Sequence, residues 1–325
     1  MEKQQTVYKM LSFIWQNTLL KWYRNLTDED RKPRKLGQEN PDKVFYVIRR
    51  PGIENCGLFS DFILFLGKIE QVLKDGYIPI IDMQNDFNVY LEKDKVGKEN
   101  AWEYYFKQPM GYSLEDIAHS RHVIIGSTAK NMKLFPWNDL EFLNGKTGEL
   151  TYWRELARKY MQLSDSAREH VESEYQRLFA GEYRILGVLC RGTDYVASRP
   201  RKHNIQPTPD EMYVKIDEMM QRHGCTKIFL ATEDGGIYRK FKEKYGDIII
   251  TNTKQYVKYE SGYIAQTLYE SGNGGREAGM EYLVTIMLLS KCDCLCAGIV
   301  SGTGSAILLS EGYREMYLFD MGRYE

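Results

Sequence analysis

The pattern that most constrains this chain is the alternation of short apolar runs with longer amphipathic segments in its second half. The apolar runs, five to seven residues long, fit buried strands, and the segments between them have the apolar spacing of helices. Because parallel strands need a crossover between them, this alternation predicts a parallel sheet covered by helices. The predicted strands occupy residues 184–190, 227–232, 247–251, 292–298 and 316–320. The predicted helices occupy residues 209–224, 236–246, 275–291 and 304–312.

The first half repeats this pattern with fewer elements. Strands are predicted at residues 44–50, 77–82 and 122–126, with a helix over residues 58–76. A length of 325 residues favours two domains over one core. The predicted fold class is therefore α/β, with two Rossmann-like domains facing a cleft. The first spans residues 37–150 and the second residues 183–325, joined by a helical linker over residues 151–182, with two helices over residues 150–182.

Residues 1–36 form a separate N-terminal segment. They hold eight Lys and Arg against four Asp and Glu, so the segment carries +4 and the remainder about −5. Apolar residues recur at near-helical spacing over residues 8–24, which predicts an amphipathic helix. Such a helix either packs on its own domain or on a second copy, or lies peripherally on an anionic membrane surface.

Charge and apolar run length argue against nucleic acid as the main partner and against a membrane-spanning segment. The net charge of −1 provides no basic field for nucleic acid. The uncharged run at residues 10–20 is too short to cross a bilayer, and a longer one at residues 294–310 is interrupted by glycines. No secretory signal is visible either, so we expect a cytoplasmic protein, with the inner face of the membrane as the alternative site.

Six cysteines lie at positions 56, 190, 225, 292, 294 and 296. The last three alternate, so on a strand all three thiols would point to one face. Zinc sites usually have paired C-x-x-C units and histidines, which this stretch lacks. We therefore expect buried, reduced thiols and no metal.

Polar residues follow three predicted strands of the second half, where ligands bind in open parallel sheets. Small residues after the strand at 292–298 allow backbone N–H groups to approach an anion, and the next helix offers its positive end. An arginine fork on a neighbouring strand suits a diphosphate. A helix cap and a salt bridge are the alternatives for these features taken singly. The residues are Arg191, Gly192, Thr193 and Asp194; Thr232, Glu233 and Asp234; and Ser301, Gly302, Thr303, Gly304 and Ser305.

A basic run follows the arginine segment at residues 199–203. A run of this kind is usually a solvated loop. The alternative is a mobile lid that folds over a nucleotide diphosphate.

Two segments resemble a known family. Residues 187–195, GVLCRGTDY, are similar to the H-x-R-R-T-D and H-x-R-x-G-D-Y segments of GDP-fucose-dependent fucosyltransferases, which include α-1,6, α-1,2 and nodulation-factor enzymes. Residues 288–311 resemble the serine-rich closing motif of this family, and KIFLATED at 227–234 resembles one of its strand ends. The match covers residues 183–312, and segments of the first half look like parts of bacterial cell-surface polysaccharide enzymes.

The resemblance implies a fold of glycosyltransferase B type and an inverting transfer. It makes Arg191 the group that holds the donor β-phosphate, assisted by Ser301 and Thr303. The sequence departs from the family pattern at three positions. Leu189 stands for the guanine-reading histidine and Gly192 for a second arginine; Thr285 stands for a helical acid that reads guanine, with Glu281 one turn earlier.

The resulting hypothesis is a metal-independent glycosyltransferase for polysaccharide biosynthesis, with a GDP-sugar as donor substrate and no cofactor. Negative charge that develops on the leaving phosphate would be stabilised by Arg191 and the helix end. Asp194, Glu233 and Glu54 are candidate general bases, with Asp194 ahead. The alternatives are a transferase for another nucleotide sugar, a dinucleotide-binding oxidoreductase and a non-catalytic binder. The glycine fingerprint of an oxidoreductase is incomplete here, because Ile307 replaces its third glycine.

The acceptor is expected at the first domain. Asn55 and Gly57 follow the first predicted strand, and Asp82 and Asn85 follow the second. An oligosaccharide or a lipid-linked glycan is the expected acceptor, with transfer to one of its hydroxyls.

Overall fold

A computed structural model describes residues 33–50, 56–127, 135–181, 183–199, 201–254, 256 and 275–325; predictions on other residues, including the helix at 8–24, Glu54 and Asn55, lie outside them. The first half forms a small parallel sheet with strand order β2-β1-β3. Ile48 pairs with Ile81 on one side and with Gly126 on the other. The strands are β1 Phe45–Arg49, β2 Ile78–Ile81 and β3 Val123–Ser127. All three predicted strands are confirmed.

One helix packs on this small sheet, and three more lead to the second half. Ser164 caps the fourth helix by accepting a hydrogen bond from Ala167 N at 3.2 Å, as is usual for serine at this position. The two helices predicted within residues 150–182 are confirmed. The helices are α1 Leu58–Lys74, α2 Leu140–Leu143, α3 Leu150–Tyr160 and α4 Asp165–Phe179.

The second half forms a five-stranded parallel sheet with strand order β6-β5-β4-β7-β8. The central strand β4 is fully buried, which explains its continuous apolar sequence. All five predicted strands are confirmed. They are β4 Ile185–Leu189, β5 Lys227–Ala231, β6 Ile249–Ile250, β7 Cys294–Gly298 and β8 Glu315–Phe319.

The helices of this large sheet are α5 Thr193–Ser198, α6 Pro209–His223, α7 Gly235–Tyr245, α8 Gly275–Leu289 and α9 Ser301–Leu309. Helix α6 begins with a capping box between Thr208 and Glu211. Helix α9 begins three residues earlier than predicted. Residues 301–305 are therefore the first turns of a helix and not a loop, which corrects the sequence-based expectation.

One hydrophobic cluster joins elements of both sheets. It contains Phe62 and Trp153 from the first half together with Phe229 and Ile307 from the second, all fully buried. Helix α9 packs against both α1 and α3. Helix α9 is thus supported by helices of the first half. The predicted domain boundaries remain a prediction.

The cysteines of residues 292–296 divide between two clusters. Strand β7 begins at Cys294, so Cys294 and Cys296 point into one cluster, whereas Cys292 precedes the strand and packs in the other. The expectation that all three share a face is wrong for Cys292. All six cysteines are free thiols, and all except Cys56 are buried.

Candidate functional site

The strand order of the large sheet creates a crevice between β4 and β7. The chain runs outward from β4 through β5 to β6, and later resumes on the opposite side at β7 and β8. In doubly wound sheets this reversal point is where ligands bind, beyond the carboxyl ends of the strands. Leu189 pairs with Ala297 across the crevice. Arg191 and Ser301 therefore leave adjoining strands within a few residues of the same edge.

A carboxylate holds Arg191 at this edge. Glu233 follows β5, and its Oε1 lies 3.6 Å from Arg191 Nε. The same oxygen accepts hydrogen bonds from Gly192 N at 3.2 Å and from Thr193 Oγ1 at 2.8 Å. Thr193 has φ of +48°, a conformation that side chains rarely adopt, so the turn depends on these contacts. The guanidinium is thereby oriented, with 15% of the side chain exposed.

Asp234 and Gly192 have structural roles at the same turn. The Asp234 carboxylate caps α7 by accepting hydrogen bonds from Gly236 N at 2.6 Å and Ile237 N at 3.1 Å. A Cβ at position 192 would lie 2.5 Å from Asp234 Oδ2, so only glycine fits there. Asp234 therefore caps α7, and its predicted contact with the donor remains a prediction. Asp194 lies in the first turn of α5, and its side chain is outside the described part of the chain.

The N-terminus of α9 offers backbone donors at the other side of the crevice. The first backbone bond of the helix runs from Gly304 N to Val300 O at 3.1 Å. The N–H groups of residues 301–303 precede that bond, and the helix dipole adds positive potential there. This arrangement suits an anion.

The hydroxyls of α9 contribute less than the sequence suggested. Thr303 Oγ1 donates to Gly298 O at 2.6 Å, and both Thr303 and Ser305 are fully buried. Neither hydroxyl is exposed, so the predicted contacts of Thr303 and Ser305 with a donor remain predictions, whereas Ser301 has a partly exposed side chain.

The two glycines of this helix serve close packing. A Cβ on Gly302 would lie 2.5 Å from the Tyr282 hydroxyl, and one on Gly304 would meet the backbone of Trp137 at 3.1 Å. Small residues at 302 and 304 thus allow α9 to sit close to its neighbours. Close packing of α9 therefore explains the glycine-rich sequence that resembled a loop.

The end of the basic run and the residues after it are held by hydrogen bonds. Gln206 Nε2 and Asn204 Nδ2 donate to Ile299 O at 3.1 and 3.3 Å, and both residues are buried. Lys202 N donates to Tyr324 O at 2.8 Å, and Tyr324 N donates to His203 O at 3.0 Å. The segment is thus tied to the turn after β7 and to the C-terminal residues. These bonds argue against the mobile lid that the sequence left as an alternative. Sequence analysis did not identify Asn204 and Gln206 as part of this arrangement.

Glu281 lies on the β6 side of the same edge. Its carbonyl oxygen accepts from Asn252 Nδ2 at 3.1 Å and lies 2.8 Å from Thr285 Oγ1. Burial raises the pKa of the Glu281 carboxyl, opposed by the Lys254 N–H. Thr285 itself is covered and lies 3.1 Å from Asn252 Oδ1. The predicted contact of Glu281 with a base remains a prediction.

A cavity of about 560 Å³ lies against the small sheet, and its lining runs from Val123 at the start of β3 to Asp82 just after β2. Predicted acceptor residues Asp82 and Asn85 both line it, together with Arg49. Asp82 Oδ2 lies 3.2 Å from Arg49 Nε and accepts from Asn85 Nδ2 at 2.9 Å. Gly57 lies apart from this lining, at the position before α1. We refer to this space as the small-sheet cavity.

A buried ion pair lies beside the small-sheet edge. The Arg50 guanidinium contacts the Asp61 carboxylate, and the Asp61 side chain is only 7% exposed. Burial raises the pKa of Asp61 to about 6, although Arg50 opposes the shift. Burial and the Asp61 charge also raise the pKa of Cys56 to about 11, so this thiol is not a ready nucleophile.

Across the described residues, no group of three or more His, Cys, Asp and Glu side chains is placed to hold a metal ion. In the same part of the chain, no helix has the length and apolar character needed to span a bilayer.

No family model and no curated protein matches the sequence, whereas solved structures of fucosyltransferases do match the fold. The apo form of POFUT1 has a TM-score of 0.51 at 10% identity, over 86% of this chain and 99% of that one. POFUT1 in complex with GDP-fucose has a TM-score of 0.49 at 10% identity, over 86% and 99%. The fucosyltransferase NodZ from Bradyrhizobium has a TM-score of 0.46 at 19% identity, over 82% and 94%.

The similarity to apo POFUT1 establishes the fold of this chain. It confirms the predicted α/β class of glycosyltransferase B type, and it confirms the resemblance to fucosyltransferases at the level of fold. At 10% identity, activity has to be argued from the residues of the site.

Proposed function

We propose that this protein is a glycosyltransferase that moves a sugar, fucose from GDP-fucose in the first instance, to a hydroxyl of a glycan. The observation that carries the proposal is that Arg191 and the N-terminus of α9 follow the paired strands β4 and β7, at the reversal point of the large sheet. A fixed cation and a helix end on adjoining strands fit the two phosphates of a nucleotide sugar. The complex of POFUT1 with GDP-fucose is a structure of similar topology.

The proposed chemistry is displacement of the nucleoside diphosphate by the acceptor oxygen, with inversion at the sugar carbon and no metal. Negative charge increases on the leaving phosphate as its bond to the sugar breaks. Arg191 and the α9 N–H groups stabilise that charge, and they need no reorganisation because both are already fixed. The acceptor hydroxyl gives its proton to a general base.

Glu233 acts in this proposal as a positioning residue for Arg191. Its oxygen is shared by Arg191 Nε, Gly192 N and Thr193 Oγ1, which suits orientation better than proton transfer. Asp194 therefore remains the candidate general base. Glu281 remains the candidate group for the base of the nucleotide.

Ligand-dependent thermal stability tests the proposal against its alternatives. We expect GDP and GDP-fucose to raise the melting temperature, and NAD to leave it unchanged. Stabilisation by UDP alone would indicate another nucleotide sugar. Stabilisation by NAD alone would contradict the proposal in favour of an oxidoreductase. Binding of GDP-fucose without transfer or hydrolysis would leave a non-catalytic binder.

A further inference from the structure

The small-sheet cavity has a rigid polar wall. Asp82 is 4% exposed, and its Oδ1 accepts hydrogen bonds from Gln84 N at 2.9 Å and Asn85 N at 3.0 Å. Asn100 fixes Met83, the residue before Gln84, because its Oδ1 accepts a hydrogen bond from Met83 N at 3.0 Å. The turn after β2 is therefore held in one shape before any ligand arrives, which lowers the entropic cost of binding.

The rest of the lining includes aliphatic residues. Ile125 of β3 and Leu114 of the loop that follows Tyr112 are partly exposed, whereas Val47, Ile117 and Val123 are buried beneath the cavity. A sugar ring presents C–H groups on its faces and hydroxyls around its edge. A cavity with both aliphatic and polar lining matches both kinds of surface.

Two side chains at the cavity remain available for a ligand. Within the described chain, Lys98 and Glu115 are exposed and make no side-chain hydrogen bond or ion pair. By contrast, Arg49 is already compensated by Asp82 and by Asp86, at 3.2 and 2.9 Å. Lys98 and Glu115 thus add one free donor group and one free acceptor group.

The charges that line the cavity cancel. Arg49 and Lys98 contribute +2, and Asp82 and Glu115 contribute −2, so the sum is zero. A phosphate or a uronic acid would gain little from this lining, whereas a neutral ligand rich in hydroxyls can use both signs. The volume of about 560 Å³ falls in the range of roughly 300–1,000 Å³ found for small-molecule sites.

We propose that the small-sheet cavity binds an uncharged sugar residue of the acceptor, so that the acceptor is a neutral glycan. The inference rests on the proposed function, because an acceptor presupposes a transfer reaction. It adds Gln84, Lys98 and Glu115 to the predicted acceptor residues. It also excludes acidic polysaccharides as preferred substrates.

Transfer of labelled fucose from GDP-fucose to an array of neutral and acidic oligosaccharides tests this inference. We expect labelling of neutral members, and a rise of about threefold to tenfold in acceptor KM for Lys98→Met and for Glu115→Gln, since each removes a hydrogen bond. Lys93→Met and Glu92→Gln are matched controls, because both residues are exposed nearby and do not line the cavity. Acceptor KM and hydrolysis of GDP-fucose without acceptor should both stay within twofold of wild type for the two control variants.

The outcomes separate this inference from the proposed function. Labelling of acidic members only, labelling of no member, or unchanged acceptor KM in both cavity variants would overturn it while GDP-fucose hydrolysis persists. A wild-type protein that neither binds nor hydrolyses GDP-fucose would overturn the proposed function itself.

Discussion

The carboxyl edges of the two sheets share one topology and differ in their chemistry. Each sheet has neighbouring strands that lead the chain in opposite directions, so each has a crevice at its carboxyl edge. At the large sheet, Glu233 also pairs with Arg191, but the N-terminus of α9 follows the adjoining strand and adds N–H groups that suit an anion. At the small sheet, Arg49 and Arg50 are matched by buried or half-buried carboxylates. The residues after each strand, and not the sheet, determine the ligand.

The largest expected effect is at Arg191. Arg191→Ala removes the fixed cation at the leaving phosphate, and loss of such a donor costs about 3–4 kcal/mol, or 10²–10³ in kcat. The variant should fold, because Glu233 keeps its hydrogen bonds from Gly192 N and Thr193 Oγ1. Steady-state kinetics and circular dichroism check both points. Arg168→Ala, an exposed residue on α4, is the matched control and should be unchanged. Near-normal transfer by Arg191→Ala would remove the contrast between the two edges.

The next effect is at Glu233, the group that orients this cation. Glu233→Gln keeps the shape but loses the charge, and charged hydrogen bonds contribute about 1.5–3 kcal/mol, so kcat/KM should fall roughly tenfold to hundredfold. If Glu233 acts through Arg191, the double variant should be no slower than Arg191→Ala alone. Additive losses would instead give Glu233 a separate role. Exposed Glu243→Gln provides the control.

The buried pair of the small edge predicts a pH-dependent stability. Burial raises the pKa of Asp61 from 3.8 to about 6, so the folded state binds this proton more tightly than the unfolded state. The group's contribution is complete below about pH 4 and is lost as the pH rises through about 6. Arg50, Cys56 and Tyr90 are the ionisable groups that face it.

Urea denaturation of wild type and Asp61→Asn checks this linkage. The wild-type free energy of unfolding, relative to the variant, should fall by about 1–3 kcal/mol between pH 4 and pH 7. Asparagine does not titrate, so the difference isolates this group. A difference that is flat with pH would show that Asp61 ionises normally. The affinity for the donor GDP-fucose should be the same in wild type and Asp61→Asn. Titration of Asp61 should not change that affinity with pH.

The smallest effect is expected at the rim of the small edge. Asp86 is 34% exposed as a side chain and lies 2.9 Å from Arg49. Exposed pairs contribute about 0–1 kcal/mol, so Asp86→Asn should change the free energy of unfolding by no more than that. GDP binding should be unaffected, and calorimetry with GDP checks this. A large loss of GDP affinity would indicate that the nucleotide binds at the small sheet, which would contradict the proposed donor site at the large sheet.

Sequence patterns predicted the strands well because their signal is local. The runs that became β4 and β5 are apolar, short and bounded by turn residues, and the arginine after β4 follows directly. The start of α9 was misplaced because Ser301, Gly302 and Thr303 have the composition of a loop. Their helical state depends on packing against Tyr282 and Trp137, which is a tertiary effect.

The parts of the site that were missed depend on contacts distant in the chain. Gln206 and Asn204 donate to Ile299, more than ninety positions away. Glu233 was considered as a base, but its partners at positions 191–193 show a positioning geometry. The cavity residue Lys98 carries no local signal, because an exposed lysine in a turn is ordinary.

A structure of the protein with GDP bound tests the central claim most directly. The β-phosphate should lie within hydrogen-bond distance, about 2.7–3.2 Å, of the Arg191 guanidinium and of N–H groups at residues 301–303. A diphosphate seated in the small-sheet cavity, or on the large sheet away from both groups, would contradict the account.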